Sequence, residues 1–229
     1  RKTPELQPLL CNMAVFCLLL VLSAVLISSL LLTYAVLARL RQKRETPGTK
    51  SILIVAGSGG HTKEILTLTE KLGGQCSSRH YVVAASDSIS IKKIHSSERI
   101  LSARNISGSK SEYGIYTVPR SREVKQSWVT TLFTTLYATL YSLRLVFQIK
   151  PEVILCNGPG TCVPLCYAGL LLKMFGIADT KIVYVESICR VETLSLSAKL
   201  LYPFADSLLV QWADLVEKYP KCRYIGRVV

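Results

Sequence analysis

The sequence is short of histidine, short of acid and without any Cys-x-x-Cys pair, and each shortage closes off a class of function. Three histidines, His61, His80 and His95, set among eight dispersed cysteines provide no ligand framework for zinc, so no metal site is expected. Against 28 lysines and arginines stand only 15 aspartates and glutamates, a net charge of +13. The basic residues are spread along the chain without a nucleic-acid recognition module, so nucleic acid is not the expected partner. Anionic lipid head groups or a phosphate-bearing substrate suit that charge better. No glycine loop ends in Gly-Lys-Ser or Gly-Lys-Thr, which removes the P-loop hydrolases.

What the chain has in excess is apolar length. Between Leu6 and Ala38 there is no charged residue. Residues 14–38 read as one transmembrane helix, long enough to cross about 30 Å of hydrocarbon. The apolar part of a signal peptide, about 7–15 residues, is much shorter. Residues 1–13 are then a short lumenal N-terminus, and residues 39–50 a basic linker. Arg39, Arg41, Lys43, Arg44 and Lys50 outweigh Glu45 after the helix, whereas only Arg1 and Lys2 face Glu5 before it. The positive-inside rule therefore puts residues 51–229 in the cytosol, where the cysteines stay reduced.

Residues 51–229 alternate short apolar runs with helical stretches. Strands are expected at 51–56, 81–85, 114–118, 153–156, 181–185 and 207–210, with a last edge strand at 223–225. Helices are expected at 62–72, 123–148, 163–175, 193–202 and 212–219, with Glu64 in the first turn of the earliest, where the helix dipole favours it. Residues 86–111, rich in serine, read as irregular with a short helix around 89–95. Within 123–148, the aromatic residues Trp128, Phe133, Tyr137, Tyr141 and Phe147 pack either in the core or against a membrane surface. Strands that are apolar throughout, separated by helices, indicate an α/β, Rossmann-like parallel sheet covered on both faces.

In such a sheet, ligands lie beyond the carboxyl ends of the strands. Four polar or glycine-rich loops fall there: 57–61, 119–122, 157–161 and 186–192. Gly57, Ser58, Gly59 and Gly60, followed by Thr62, follow a strand and open a helix, so backbone N–H groups can face an anion. The fingerprint Gly57-x-Gly59-x-x-Thr62 lacks the third glycine of a dinucleotide loop. His61, at the mouth of the loop, is either a base or phosphate contact or a structural cap. Asn157, Gly158, Gly160 and Thr161 repeat the loop logic after a later strand. Glu186 leaves an apolar strand as a candidate to orient a hydroxyl or act as a base, with Arg190 nearby for phosphate or for Glu186 itself. Arg120 and Arg122 are candidate phosphate or head-group contacts.

Five motifs carry a resemblance: Gly57-Ser-Gly-Gly-His-Thr, Pro119-Arg-Ser-Arg-Glu-Val, Asn157-Gly-Pro-Gly-Thr-Cys-Val-Pro, Val185-Glu-Ser-Ile-Cys-Arg-Val-Glu-Thr and Tyr224-Ile-Gly-Arg-Val. Together they closely resemble the membrane-anchoring, acceptor-binding subunits of the dolichol-pathway UDP-N-acetylglucosamine transferases, across residue 51 to the end. The departures fall in the membrane segment and in residues 86–111, to which no chemistry is assigned. The resemblance implies the N-terminal half of a split GT-B glycosyltransferase, inactive alone. A soluble partner subunit would bind UDP-GlcNAc, so no cofactor is expected on this chain. The acceptor would be dolichol-linked GlcNAc diphosphate at the cytosolic face of the endoplasmic reticulum. His61 and Glu186 are then the catalytic candidates, and both glycine loops with Arg190 cradle the acceptor diphosphate. Tyr224, Ile225, Val228 and Val229, apolar for a chain end, are the expected partner dock. Two other readings stand beside this one: a pure scaffold that recruits a catalytic partner, and a membrane-bound NAD(P)-dependent oxidoreductase with Asp87 on the ribose.

Overall fold

The computed structural model describes residues 51–72, 76, 78–104, 112–120, 126–158 and 160–228. The expected lumenal segment 1–13, the expected transmembrane helix 14–38 and the expected linker 39–50, together with Arg122 and Val229, lie outside the described residues. The chain divides into one unit of residues 46–173 and 178–229 and another of 1–45 and 174–177. The α/β domain is the first of these.

Seven strands form its sheet: β1 (Ser51–Val55), β2 (Ser78–Ala84), β3 (Glu112–Val118), β4 (Val153–Asn157), β5 (Lys181–Val185), β6 (Ser207–Val210) and β7 (Cys222–Tyr224). They run in the order β3-β2-β1-β4-β5-β6-β7, and every pairing is parallel. The connecting helices are α1 (Gly60–Leu72), α2 (Ser88–Arg104), α3 (Trp128–Ile149), α4 (Cys162–Met174), α5 (Leu196–Leu201) and α6 (Asp214–Lys218). The centre of the sheet is apolar on both faces: Leu53, Ile54, Val82, Ile154, Ile182 and Leu208 are buried. The order reverses between β1 and β4, so their carboxyl ends open a crevice.

Several boundaries differ from the sequence expectation for identifiable reasons. Gly59, at φ 69°, turns the chain sharply enough that α1 begins at Gly60. Glu64 therefore falls a full turn inside α1, and the first turn carries no acid. Residues 86–111 are not mainly irregular, because α2 fills 88–104. Its inward face is half polar, and the inward polar groups are paired. Asp87 accepts from Ser90 N (3.1 Å) and Ser90 Oγ (2.6 Å), which caps the helix. Glu98 forms a two-pronged ion pair with Arg79 (Nε 2.7 Å, Nη2 2.6 Å) and accepts from the Tyr81 hydroxyl at 2.6 Å. Glu98 holds the Arg79 guanidinium above its ordinary pKa, and burial pushes the Tyr81 hydroxyl up.

The apolar helix long enough to cross a membrane among the described residues is α3, in mid-domain, where residues 129–149 have a mean hydropathy of 1.2. It is docked along one side by Ala138, Ser142, Leu145 and Val146, which are buried. On its other side Val129, Phe133, Leu136, Tyr137, Leu140, Tyr141 and Phe147 are exposed. The aromatics at 133, 137, 141 and 147 thus stand outside the core. Its threonines return their hydroxyls to the helix backbone, Thr131 to Ser127 O (2.7 Å) and Thr139 to Thr135 O (2.7 Å). That pairing removes the polarity that would otherwise oppose an apolar contact. Ser127 caps the start, accepting from Thr130 N, so the helix begins five residues later than 123.

Removing one partner of a buried ion pair strands the other charge, at a cost of about 3–5 kcal/mol. Glu98→Ala is therefore expected to lower the unfolding free energy by that amount, measured by denaturant titration of the detergent-solubilised protein. A change below about 1 kcal/mol would show that the pair stabilises little.

Candidate functional site

The crevice is built from the first turn of α1 and the residues that follow β1, β4, β5 and β6. Past β1, Gly57 is buried while Ser58, Gly59 and Gly60 are exposed. Nothing lies within 4 Å of the place where a Cβ on Gly59, Gly60 or Gly160 would stand, so the backbone is open to an incoming group. The first N–H groups of a helix have no partner within it and carry the positive end of its dipole. A diphosphate is the kind of ligand such a helix start accepts.

Beside this helix start lies a cleft of about 410 Å³ lined by His61, Gly158, Glu186, Ser187, Cys189 and Arg190, among others. His61 reaches Asn157 through Nδ1 to Oδ1 at 2.9 Å. Its ring packs against Gly158, where a Cβ would stand 2.2 Å from Cε1. Gly158 has φ 78° and gives its carbonyl to the Tyr184 hydroxyl at 3.3 Å. Burial and the nearby Glu186 push that hydroxyl's pKa up, so Tyr184 acts as a neutral donor.

The structure brings His61, Gly60, Gly158, Glu186 and Arg190 together around one cleft. Glu186, fully buried, accepts from Ser187 N (3.1 Å) and Ser195 N (2.8 Å). Its carboxylate thereby holds the 186–195 loop, which presents the exposed Arg190. Thr62 faces inward, fully buried, with its hydroxyl on Gly57 O and against Ser90 Oγ (2.6 Å), so its side chain closes the loop from below. Asn157 is likewise buried, with both ends of its amide engaged. Thr161 is half-buried. Arg120 stands beyond β3 at the outer edge of the sheet, with β2 between that strand and β1. Asp87 spends its carboxylate on capping α2, which leaves the ribose role of the oxidoreductase reading without its residue.

Three buried residues missed by the sequence reasoning hold the floor together: Glu64, Ser187 and Gln211. Glu64 accepts from Asn157 Nδ2 (2.8 Å), Ser187 Oγ (2.8 Å), Gln211 Nε2 (3.3 Å) and Ile188 N (3.4 Å). Two signals mark them in the sequence. Glu64 follows His61 at the three-residue spacing that shares a helix face. Glu186 and Gln211 are the first residues after apolar strands, while Asn157 is the last of one, and each is a polar residue at a strand's carboxyl end. Nearby thiols are held neutral: burial pushes Cys156 well up, and burial with Glu186 raises Cys222 to about 11.

Residues 52–228 match the family described as "Oligosaccharide biosynthesis protein Alg14 like". The chain is 52% identical to "UDP-N-acetylglucosamine transferase subunit ALG14" of Rattus norvegicus, covering 88% of this chain and 94% of that protein. The Homo sapiens protein of the same name is 53% identical, over 78% of this chain and 83% of its own length. The Schizosaccharomyces pombe protein is 45% identical, over 82% and 88% respectively. Among solved structures, MurG of Acinetobacter baumannii superposes with a TM-score of 0.50 at 18% identity. That likeness supports the fold. It covers 73% of this chain and 43% of MurG.

A methyl group at Gly158 has no room unless the His61 ring moves. Gly158→Ala, which also places a side chain at positive φ at a cost of about 1–2 kcal/mol, is expected to push the imidazole off Asn157 in a protein that still folds. Ring 15N resonances of His61, compared with a thermal unfolding curve, check this. Unchanged resonances in the folded variant would show that the contact does not hold the ring.

Proposed function

The chain belongs to the Alg14-like family of oligosaccharide biosynthesis proteins, and from that membership we propose that it is the acceptor-binding subunit of a UDP-N-acetylglucosamine transferase. It works with a soluble partner that binds UDP-GlcNAc, and it presents dolichol-linked GlcNAc diphosphate for addition of a second GlcNAc. The observation that carries this reading is the crevice itself. An open, glycine-built helix start suited to a diphosphate lies next to an imidazole, with the Arg190 guanidinium on the facing loop.

The chemistry follows from those parts. Backbone N–H groups at Gly59 and Gly60, with Arg190, hold the diphosphate of the acceptor. The acceptor sugar hydroxyl then meets His61. As its oxygen bonds the anomeric carbon of the donor, its proton passes to the imidazole. UDP leaves with the electron pair of the broken carbon–oxygen bond. Glu186 keeps the Arg190 loop in place from below rather than taking the proton itself, since both its oxygens already accept backbone N–H groups.

The site is placed at the cytosolic face of the endoplasmic reticulum membrane, tethered by residues 14–38 and steadied by α3. Burying one large apolar side chain gains about 1.5–3 kcal/mol. Val129, Phe133, Leu136 and Leu140 together with three aromatics form a stripe of that kind on α3, with the tyrosines suited to the head-group level. A helix docked along one side on its own domain lies in the surface rather than across it.

The partner dock is the last strand. The backbone of β7 pairs with β6, and Ile225 N continues the pairing to Val210 O at 3.1 Å, so this segment does cover its own sheet edge. Tyr224 and Ile225 nevertheless keep 54% and 39% of their surface exposed, an apolar pair left for a second protein. Reconstitution with defined acceptor lipid and UDP-GlcNAc is expected to give product only when both subunits are present. Tyr224→Ser combined with Ile225→Asp is expected to weaken partner binding by about 30-fold or more, as loss of a central apolar anchor does. Robust transfer by the purified chain alone would overturn the division of labour, and normal co-purification of the double variant would overturn the dock.

A further inference from the structure

We propose that Glu64, acting through Asn157, sets the tautomer of His61, so that Nδ1 carries the ring proton and Nε2 keeps its lone pair for the acceptor hydroxyl. The inference rests on the reading of His61 as the base and adds two positioning residues to it.

The direction of each hydrogen bond follows from what each group is able to do. A carboxylate only accepts. Asn157 meets Glu64 at 2.8 Å, so the atom it presents there is the Nδ2 donor. The other end of the amide, Oδ1, therefore faces His61 and must accept. The imidazole nitrogen 2.9 Å away is Nδ1, which then carries the hydrogen, and a neutral ring has only one. Turning the Asn157 amide over would set its Oδ1 against a Glu64 oxygen, lone pair to lone pair. Nδ1–H is the reverse of the form that neutral histidine favours in water, so the surroundings have to impose it.

The surroundings are rigid enough to do so. Glu64 is 5% exposed and Asn157 fully buried, in a floor with no freedom to rearrange alone. Gln211 is oriented by its own neighbours, accepting from Val228 N at 2.9 Å and donating to Glu186 O at 3.1 Å as well as to Glu64. Ser187 is the exception, because a hydroxyl turns either way. Gly158 packs closely against the ring, with Cε1 and Nδ1 2.2 and 2.3 Å from where a Cβ on it would stand. When Nε2 takes a proton, Nδ1–H keeps its partner, and the carboxylate behind Asn157 balances the new positive charge. This is the role that the third member of a nucleophile–base–orienter set plays in hydrolases, here with an amide between the carboxylate and the ring.

The test uses the full chain labelled with 15N-histidine and assembled with unlabelled partner, in wild-type, Glu64→Gln and Glu64→Met forms. Long-range 1H–15N spectra report the tautomer, and transfer kinetics report kcat and the acceptor KM. Wild type is expected in the Nδ1–H form. Glu64→Gln is expected to keep that form, turning its oxygen to Asn157 and its amide to Ser187 Oγ. Glu64→Met is expected to release the ring to Nε2–H and to lower kcat by about 10²-fold, the lower end of what a general base supplies, with the acceptor KM changed less than about threefold. A wild-type ring in the Nε2–H form overturns the proposal outright, and that measurement decides it even if Glu64→Met fails to fold. A folded Glu64→Met protein that keeps both Nδ1–H and wild-type kcat also overturns it. Full turnover by His61→Ala has a different meaning: it removes the base reading while the tautomer result still answers for Glu64.

Discussion

A carboxylate taken out of water must be met by donors, and at Glu64 those donors come from the carboxyl ends of three strands, β4, β5 and β6. Asn157 closes β4, Ser187 and Ile188 follow β5, and Gln211 follows β6, while Glu64 itself rides on the helix that begins at the glycine loop. An unpaired buried charge costs far more than a neutral hydrogen bond returns. The four segments are therefore obliged to converge at one point. The same network fixes where the half-buried His61 and the exposed Arg190 stand: His61 is held by Asn157, and Arg190 is carried by a loop that Glu186 anchors. The functional groups are few and the supporting ones many, a ratio that lets a short loop present a side chain with little play.

Two surfaces of the domain answer to different neighbours. The crevice gathers polar side chains such as His61, Glu186 and Arg190 at the switch point of the sheet, while α3 shows an apolar stripe to the outside. The chain's net charge of +13 agrees with the membrane-surface role proposed for that stripe, since anionic head groups attract basic residues. On the proposed reading, the long apolar helix within the domain would add to the expected tether at residues 14–38. The C-terminal strand gives its backbone to its own sheet and leaves Tyr224 and Ile225 exposed, the pair proposed as the partner dock.

The parallel sheet was legible because its strands are apolar on both faces, which leaves a mark that needs no alternation to be read. The glycine loops were legible for a related reason, since only unusual backbone needs Gly59 and Gly158 where they stand. The helix at 88–104 was obscured because its inward face includes Ser90, Ser97 and Glu98, and their partners Thr62, Glu70, Arg79 and Tyr81 are distributed over other elements. No local pattern records a pairing 19 residues away, such as Arg79 with Glu98. For the same reason Glu64 looked like a helix-dipole residue, and the buried partners of Asn157 and Thr62 left no mark in the sequence. Their partners become visible only when segments 28 to 147 residues away are brought together.

The central claim is that this crevice takes the acceptor diphosphate and leaves the nucleotide sugar to the partner. The most direct measurement is a structure of the assembled complex with a short-chain GlcNAc-diphosphate lipid and UDP. The diphosphate is expected over the backbone N–H groups of Gly59 and Gly60 with Arg190 against it, and the reacting hydroxyl about 3 Å from His61 Nε2. UDP found in this crevice, with the lipid diphosphate held elsewhere, would contradict the account.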